Sequence, residues 1–204
     1  MASNKQKEIA LAAVKLFEQK GYHATSVQDI ADEVGLQKGS LYHYIHSKED
    51  LLLQIAHQAI TDFNQRLEQV LHSEMSAREK LVQAIENHLT VSISNLQTTT
   101  VLLREAFSLG EPQHRVIQDL TDRYLNLWTQ ILIDGKESGE FTVEEPKITA
   151  LALLGACNWV YRWYRPEGAL DAKEITKVFG DLFLHGLLAD GGRESAASTK
   201  ETSD

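Results

Sequence analysis

One short stretch of this 204-residue chain concentrates hydrogen-bond donors and lacks acidic side chains. Between positions 37 and 48 it contains two lysines, two histidines and no aspartate or glutamate. Leu41 and Tyr44 lie three positions apart, so they define the inward face of a short helix. The outward face then carries Lys38, Gly39, Ser40, Tyr42 and His43. Donors, one aromatic ring and a glycine that permits close approach suit the phosphates and base edges of a nucleic acid.

The segments around this stretch have the pattern of a helix-turn-helix. Thr25 and Gln28 have the spacing of a capping box, which predicts the start of a second helix. Gly35 allows a tight turn, and a third short helix is predicted over about 37–45. Ser47 then opens a long fourth helix. Two short helices joined by a glycine turn on a shared apolar core are typical of helix-turn-helix proteins.

Two helix starts add candidate phosphate contacts. Lys48 lies at the start of the fourth helix and the Thr25 hydroxyl at the start of the second, where unpaired backbone N–H groups favour phosphate. His43 and His46 have a spacing that metal ligands also use, but no cysteine lies nearby to complete a site. No metal site is therefore predicted.

A family resemblance rests on residues across the first quarter of the chain: Leu16-Phe17, Gly21-Tyr22, Thr25-Ser26-Val27, Ile30-Ala31, Gly35 to Ile45 and Ser47 to Leu52. This pattern resembles the DNA-binding domain of TetR-type bacterial transcriptional regulators. The resemblance implies a homodimer on double-stranded operator DNA, with a recognition helix at about 37–45. It also implies a C-terminal helical domain that binds an inducer.

The resemblance implies particular roles for residues that match its motif. Phosphate contacts fall to Thr25, Tyr42 and Lys48, and base-edge contacts fall to Lys38, Ser40 and His43. Tyr42 lies opposite the core face, which favours DNA contact over packing. Gln37 departs from the pattern, because Ser or Thr is the more usual cap at this position. Its amide can instead pair with adenine in the major groove.

The net charge of −9 argues against a nucleic-acid partner, because phosphate binding usually leaves a basic footprint. The charge is unevenly distributed, since residues 1–50 carry −1 and residues 51–204 carry −8. The acid-free strip is therefore local, and dimerisation presents two copies of it. We expect DNA binding through a few well-placed contacts, with a shallow dependence of affinity on salt concentration.

Composition limits the other classes of function. The single cysteine, Cys157, excludes an intrachain disulfide framework and a cysteine-built zinc site. It lies among apolar residues with no basic neighbour, which favours a buried structural thiol over a nucleophile. No triad or phosphate loop predicts an enzyme, so no catalytic residue and no cofactor are expected. The sequence has neither an apolar run of ~18–20 residues nor a signal-peptide core, which predicts a cytoplasmic protein with no membrane partner.

The 3.6-residue apolar period runs through almost the whole chain and predicts an all-α fold of about nine helices. We expect a three-helix DNA-binding domain over residues 1–47, a C-terminal helical bundle for effector binding and dimerisation over 48–189, and a disordered tail over 190–204. The last two long helices are apolar on more than one face. A two-fold dimer through them explains this pattern, and deeper burial within one subunit is the alternative.

Polar and aromatic residues inside the apolar stripes of the C-terminal part predict an effector pocket. They are His88, Ser92, Tyr124, Trp128 and Trp159, together with Arg104 and Phe107 from a short sixth helix. Each alone is more often a satisfied core residue or a solvated charge than a ligand contact. The prediction of an effector pocket therefore rests on these residues taken together.

A second resemblance covers Asn158 to Pro166, Asp171, Glu174-Ile175 and Gly180 to Phe183. These residues resemble the C-terminal region of TetR-type regulators that respond to acyl-CoA thioesters and control the degradation of fatty acids or related acids. The resemblance implies an acyl chain buried in the bundle and phosphates that meet arginines such as Arg104 or Arg162. Arg162 and Arg165 equally suit a dimer interface.

These features predict a homodimeric repressor that leaves a palindromic operator when a small effector binds. The effector is expected to tilt the fourth helix, so that the two reading helices no longer match successive major grooves ~34 Å apart. The sequence also permits an effector-independent DNA-binding protein and, with less support, an enzyme on a helical scaffold.

Overall fold

A computed structural model describes residues 4–185, apart from the side chain of Phe107. Over this range the chain forms nine α-helices, a short 3-10 turn at Ala106–Ser108 and no strand, which confirms the predicted all-α class. The helices are α1 (Asn4–Lys20), α2 (Val27–Glu33), α3 (Lys38–Leu41), α4 (Lys48–Leu71), α5 (Ala77–Ser94), α6 (Leu96–Glu105), α7 (Gln113–Glu137), α8 (Pro146–Trp163) and α9 (Ala172–His185). The tail predicted over 190–204 lies outside the described residues. Between residues 4 and 185, no helix is long and apolar enough to cross a membrane.

Local sequence features account for the starts of three long helices, α4, α5 and α8. Ser47 accepts a hydrogen bond from the Asp50 N–H at the start of α4. Ser76 and Glu79 form a full capping box at the start of α5. Pro146 occupies the first turn of α8, where a backbone N–H has no helical partner to lose. The starts of these long helices therefore follow from local chemistry.

The two short helices of the helix-turn-helix differ from their predicted bounds. Ser26, not Thr25, is the N-cap of α2, and Ser26 and Asp29 form its capping box. Regular α-helix in α3 ends at Leu41, and turns continue the chain beyond it. The main-chain N–H of Ile45 still donates to the Leu41 carbonyl at 3.2 Å, so the segment keeps a helical course to the end of the predicted range.

The buried residues form two apolar cores that share α4. The first core joins α1, α2 and α3 with the first half of α4, and it contains Phe17 and Leu41. The second core joins the end of α4 with α5, α7, α8 and α9 around the fully buried Trp128. The first core also takes in Ala106 and Ile117 from the C-terminal part. The N-terminal helices therefore pack directly against the region where α6 ends and α7 begins.

An apolar face of α8 and α9 is exposed. Its large side chains are Ile148, Leu151, Trp159, Trp163, Val178 and Leu182. Gly155 lies in the same row of α8, and a Cβ at that position would meet no atom within 4 Å. The opposite face of α8 packs into the second core through Leu153 and Val160. Within residues 4–185 a single subunit thus leaves one apolar face uncovered, contrary to the alternative of deeper burial.

Candidate nucleic-acid interface and ligand cavity

The segment formed by α3 and its following turns presents the predicted donor set to solvent. Gln37, Lys38, Gly39, Tyr42 and His43 are exposed, and Ser40 is half-buried. Leu41 and Ile45 are buried, which fixes the segment on the first core. Tyr44 packs half-buried against the same core, as its predicted inward position requires. All six residues of this segment that are predicted to contact DNA are therefore accessible together.

Two members of this surface keep their polar groups available. Gln37 is the N-cap of α3 but makes no side-chain capping hydrogen bond, as expected for a poor cap. Tyr42 is 46% exposed, although large aromatic side chains are usually well buried. The Gln37 amide and the Tyr42 ring are therefore accessible from outside the described chain.

The Thr25 hydroxyl does not lie at the surface, so the structure does not support a phosphate contact through this side chain. Thr25 is 1% exposed, and its Oγ1 lies 2.9 Å from the Gly21 carbonyl and 3.3 Å from the Leu16 carbonyl. These contacts hold the turn between α1 and α2. The exposed hydroxyl at the start of α2 belongs to Ser26, whose Oγ accepts a hydrogen bond from the Asp29 N–H at 3.0 Å.

The start of α2 is also a poor anion site, because the helix supplies its own anion. The Asp29 carboxylate accepts a hydrogen bond from the Ser26 N–H at 2.7 Å and pairs with Lys20 at 2.9 Å. Hydrogen bonds from Ser26 and Lys20 hold the pKa of the Asp29 carboxyl well below its usual range. The carboxylate therefore stays ionised and already occupies the Ser26 N–H that a phosphate at this helix start would otherwise use.

Lys48 ties the start of α4 to the turn before α2. Its Nζ donates to the carbonyls of Tyr22 and Thr25, both at 2.7 Å, and lies 4.3 Å from the centroid of the Tyr22 ring. Burial lowers the pKa of its ammonium group. An ammonium has three N–H donors, so two support the fold and one is left for the predicted phosphate contact. The main role of Lys48 in the structure is to hold the turn before α2 against the start of α4.

A cavity of about 260 Å³ lies between α4, α5, α6, α7 and α8. Of the predicted effector residues, His88, Ser92 and Tyr124 line it. His88 and Ser92 are only 3% and 2% exposed, and we call the buried side of the cavity that they line its closed end. Gln118 and Thr121 line it from exposed positions on α7 and form its mouth.

The imidazole of His88 is the central polar group of the cavity. Its Nδ1 lies 3.0 Å from the Tyr124 hydroxyl, and its ring lies 5.2 Å from the Phe63 ring between centroids. Burial lowers the pKa of His88 to about 4, although the neighbouring Asn158 side chain opposes the shift. Burial also raises the pKa of Tyr124. Both groups are therefore uncharged at neutral pH.

Two buried polar atoms of the cavity lack hydrogen-bond partners in the described part of the chain. They are Nε2 of His88 and Oγ of Ser92, which lies one helical turn further along α5. Buried polar groups in native proteins are nearly always hydrogen-bonded. These two atoms are thus the part of the site that a ligand can satisfy.

The structure does not bring the other predicted effector residues into the cavity. Trp128 is fully buried in the second core and does not line the cavity, but its ring lies behind two lining residues, with centroids 6.2 Å from His88 and 6.3 Å from Tyr124. Trp159 is 59% exposed on the outer face of α8, and the Arg162 guanidinium lies 5.8 Å from its ring. Arg104 is exposed on α6, with its guanidinium 5.6 Å from the Tyr161 ring. The side chain of Phe107 lies outside the described residues.

The prediction missed one wall of the cavity. Four lining residues on α7 recur with the helical period and share the face that carries Tyr124: His114, Ile117, Gln118 and Thr121. Three of the four, His114, Gln118 and Thr121, are polar, which made this face resemble a solvent-exposed one. Asn158 of α8 was also missed, although a polar residue in an apolar helix is the same signal that identified His88 and Ser92.

The Cys157 thiol and possible metal ligands are the remaining candidate chemical groups. Cys157 is fully buried, and burial raises the pKa of its thiol to about 12. The thiol therefore stays protonated, which fits the predicted structural role. Among residues 4–185, no group of three or more His, Cys, Asp or Glu side chains is arranged to hold a metal ion.

Family models match both parts of the chain. The model for bacterial regulatory proteins of the tetR family matches residues 9–55, and the model for the tetracyclin repressor-like C-terminal domain matches residues 74–187. The chain belongs to the TetR family. The family predicted from the motif around α3 is thereby confirmed, and the chain is a DNA-binding transcriptional regulator.

Three similar proteins extend over nearly the whole chain. The transcriptional repressor KstR2 of Rhodococcus jostii is 29% identical, with 91% of this chain and 92% of that protein covered. The TetR-family regulator PfmR of Thermus thermophilus is 34% identical, with 89% and 99% coverage and a TM-score of 0.83. AibR, solved in complex with isovaleryl coenzyme A and operator DNA, shares the fold at 22% identity, with 88% and 97% coverage and a TM-score of 0.81.

Proposed function

We propose that this TetR-family chain is a homodimeric repressor, released from a palindromic operator by a small effector that binds the α4–α8 cavity. One observation carries the proposal. Ile60, Ala106 and Ile117 line the cavity and also belong to the first core, on which the helix-turn-helix packs. Because close-packed interiors transmit small displacements, a ligand that moves these side chains shifts the N-terminal helices. The similarity to the repressor KstR2 supports repression and not activation of transcription.

The proposed DNA contacts come from the exposed segment around α3. Lys38, Ser40 and His43 contact base edges, and the Gln37 amide pairs with adenine. The Tyr42 hydroxyl donates to a phosphate, and Gly39 allows the backbone to approach the DNA. Lys48 contributes its remaining N–H donor to a phosphate. Thr25 positions the turn before α2 and makes no contact through its side chain.

The proposed dimer interface is the exposed apolar face of α8 and α9. Its α8 residues Ile148, Leu151, Gly155, Trp159 and Trp163 recur every three to four positions and so form one continuous row. A row of this kind suits a two-fold interface, in which the same surface of each subunit contacts its copy. The two subunits would then pair α8 and α9 in a four-helix bundle. Such a dimer presents two copies of α3 to two half-sites.

The proposed effector class is acyl-CoA thioesters, in the control of fatty-acid or related acid degradation. The presence of isovaleryl coenzyme A in the similar fold of AibR supports this choice. Arg104 follows the lining residue Leu103 and is exposed, so its guanidinium is accessible to phosphates of a head group outside the cavity. Arg162 stacks on Trp159 at the proposed interface, which supports a role in the dimer.

The experiment that tests this function starts from an operator selected out of random DNA by the full-length protein. Fluorescence anisotropy then measures operator affinity with and without acyl-CoA thioesters of several chain lengths. We expect one length class to weaken operator binding by ~5–150-fold. Analytical ultracentrifugation is expected to show a dimer alone and one dimer per operator. Specific DNA binding that no thioester changes would favour an effector-independent DNA-binding protein.

A further inference from the structure

The electrostatic character of the cavity follows from its lining, which includes the two histidines His88 and His114. No lysine, arginine, aspartate or glutamate lines it in the described part of the chain. His88, which lies at the closed end, stays neutral because burial lowers its pKa to about 4. A carboxylate that reached this end would lose its hydration and meet no opposite charge, which is strongly unfavourable.

The closed end nevertheless offers hydrogen bonds. If the Tyr124 hydroxyl donates to Nδ1 of His88, the ring carries its proton on Nε2 and Nε2 is a donor. If Nδ1 donates instead, Nε2 is an acceptor, and the Ser92 hydroxyl still supplies a donor. In either case His88 and Ser92, which line the cavity, include at least one buried donor without a partner in the described part of the chain. The complementary ligand group is therefore an uncharged acceptor, such as a carbonyl oxygen.

The volume limits the remainder of the ligand. The cavity volume of about 260 Å³ falls just below the ~300–1,000 Å³ range of pockets that bind drug-sized molecules. Much of the wall is apolar, with Ile60, Phe63, Leu102 and Leu103 among its residues. The group that fills this space is a short apolar chain.

We propose that the cavity binds an uncharged carbonyl group on a short apolar chain and rejects the corresponding free carboxylate. The carbonyl oxygen accepts a hydrogen bond at the closed end, from Ser92 Oγ or His88 Nε2. This inference rests on the proposed function in taking the cavity as the effector site. Two sources supply the same chemistry, the thioester of a short acyl-CoA and a free neutral carbonyl compound.

The test uses the full-length protein without DNA and a matched pair of probes. 2-Heptanone and hexanoate have the same pentyl chain and differ in whether a methyl group or a negatively charged oxygen completes the carbonyl. Ligand-observed NMR titration at pH 7.5 is expected to show 2-heptanone binding at least ~30-fold more tightly than hexanoate. The reason is that the negative charge of hexanoate would meet no opposite charge in the cavity. Equal or tighter binding of hexanoate would overturn the proposal.

Two variants locate the carbonyl. Ser92→Ala removes an unpartnered buried hydroxyl, so the protein is expected to fold normally. If that hydroxyl is the donor, the 2-heptanone affinity of S92A falls ~3–10-fold, and if His88 is the donor, the loss appears in H88N instead. His88→Asn removes the imidazole, and His57→Asn on the exposed side of α4 is its matched control. With 2-heptanone labelled at the carbonyl carbon, the bound ¹³C resonance is expected to move toward its free value in S92A or H88N but not in H57N. Unchanged affinity and resonance in both S92A and H88N would overturn the assignment.

Hexanoyl-CoA distinguishes the two sources. Competition between hexanoyl-CoA and 2-heptanone would identify the thioester as the source of the carbonyl. Binding of 2-heptanone without such competition would identify a free neutral compound, and either outcome supports the shared chemistry. Operator affinity is measured separately, so a probe that binds as expected but leaves DNA affinity unchanged contradicts the proposed function and not the chemistry of the cavity.

Discussion

The Glu49 carboxylate accepts a hydrogen bond of 3.1 Å from the main-chain N–H of Gly110. Glu49 lies in the first turn of α4, and Gly110 lies between the 3-10 turn and α7. The preceding residue, Lys48, donates to the carbonyls of Tyr22 and Thr25 in the helix-turn-helix. Two consecutive residues at the start of α4 thus contact both the loop that leads into the cavity wall and the turn that leads into α2.

This arrangement predicts that Glu49 contributes to coupling between effector and operator. Glu49→Ala removes the acceptor for the Gly110 N–H, and a hydrogen bond worth ~1 kcal/mol corresponds to a ~5-fold effect. We expect E49A to bind effector normally while its operator affinity responds ~5-fold less to effector. Glu49→Gln keeps an acceptor oxygen and is the control. An undiminished response in E49A, measured by anisotropy titration, would rule out this contact as part of the coupling.

Tyr42 tests whether the exposed segment around α3, residues 37–45, is the DNA-reading surface. Because its ring is exposed, Tyr42→Ala is expected to lower operator affinity by ~1–3 kcal/mol without changing the Tm of the protein. Tyr42→Phe separates the contribution of the hydroxyl from that of the ring. Leu41→Ala is the contrasting variant, since Leu41 is fully buried and its truncation should cost ~2–5 kcal/mol of stability. Unaltered operator affinity in Y42A would refute the assignment of this segment.

Thr25 and Ser26 separate stability from DNA contact. Thr25→Val keeps the shape of the side chain but removes the hydrogen bonds to the Gly21 and Leu16 carbonyls. We expect a loss of ~1–3 kcal/mol in the free energy of unfolding and nearly unchanged operator affinity of the folded protein. Ser26→Ala removes the α2 cap and should cost ~0.5–2 kcal/mol. A large fall in operator affinity of T25V at full stability would restore Thr25 as a phosphate contact.

His88 makes stability depend on pH. Burial lowers its pKa to about 4 from 6.5, so between these values the unfolded chain binds a proton that the folded protein does not. Stability should therefore fall by ~3 kcal/mol as the pH drops from 6.5 to 4. Hydrogen bonds from the backbone N–H groups of Ser76 and Arg78 lower the pKa values of Glu79 and Glu140 from the ordinary value of 4.5. The stability that these two carboxylates contribute is therefore lost only as the pH falls below about 4.5.

The measurement is urea denaturation at a series of pH values between 7.5 and 4.5. In His88→Asn the slope between pH 6.5 and 4.5 is expected to be shallower, because no buried imidazole remains to be protonated on unfolding. An identical slope in the wild type and in H88N would show that other groups cause the dependence.

The sequence predicted the helical framework well because its caps are local. The start of α4 follows from Ser47 and the start of α5 from Ser76, each through hydrogen bonds within four residues. The start of α2 was misplaced because Thr25 and Ser26 are both good caps, each with a polar side chain three positions later. Burial of Thr25 against α1 decides between them, and that contact is tertiary.

The ligand cavity was only partly predictable. His88, Ser92 and Tyr124 are polar residues in apolar stripes, so the periodicity of α5 and α7 identified them. Trp159 was misplaced because α8 is apolar on two faces, and nothing in its own sequence indicates which face meets α5 and α7. The answer depends on packing across the bundle, where Val160 and not Trp159 lies inward.

The central claim is that the α4–α8 cavity and the DNA-reading surface are energetically coupled. The most direct test measures both halves of one thermodynamic cycle in full-length protein, with operator affinity determined with and without a bound short-chain acyl-CoA and acyl-CoA affinity determined with and without operator. The account predicts that each ligand weakens the other by the same factor, between ~5 and ~150. Tight binding of acyl-CoA in the cavity with no change in operator affinity would contradict it.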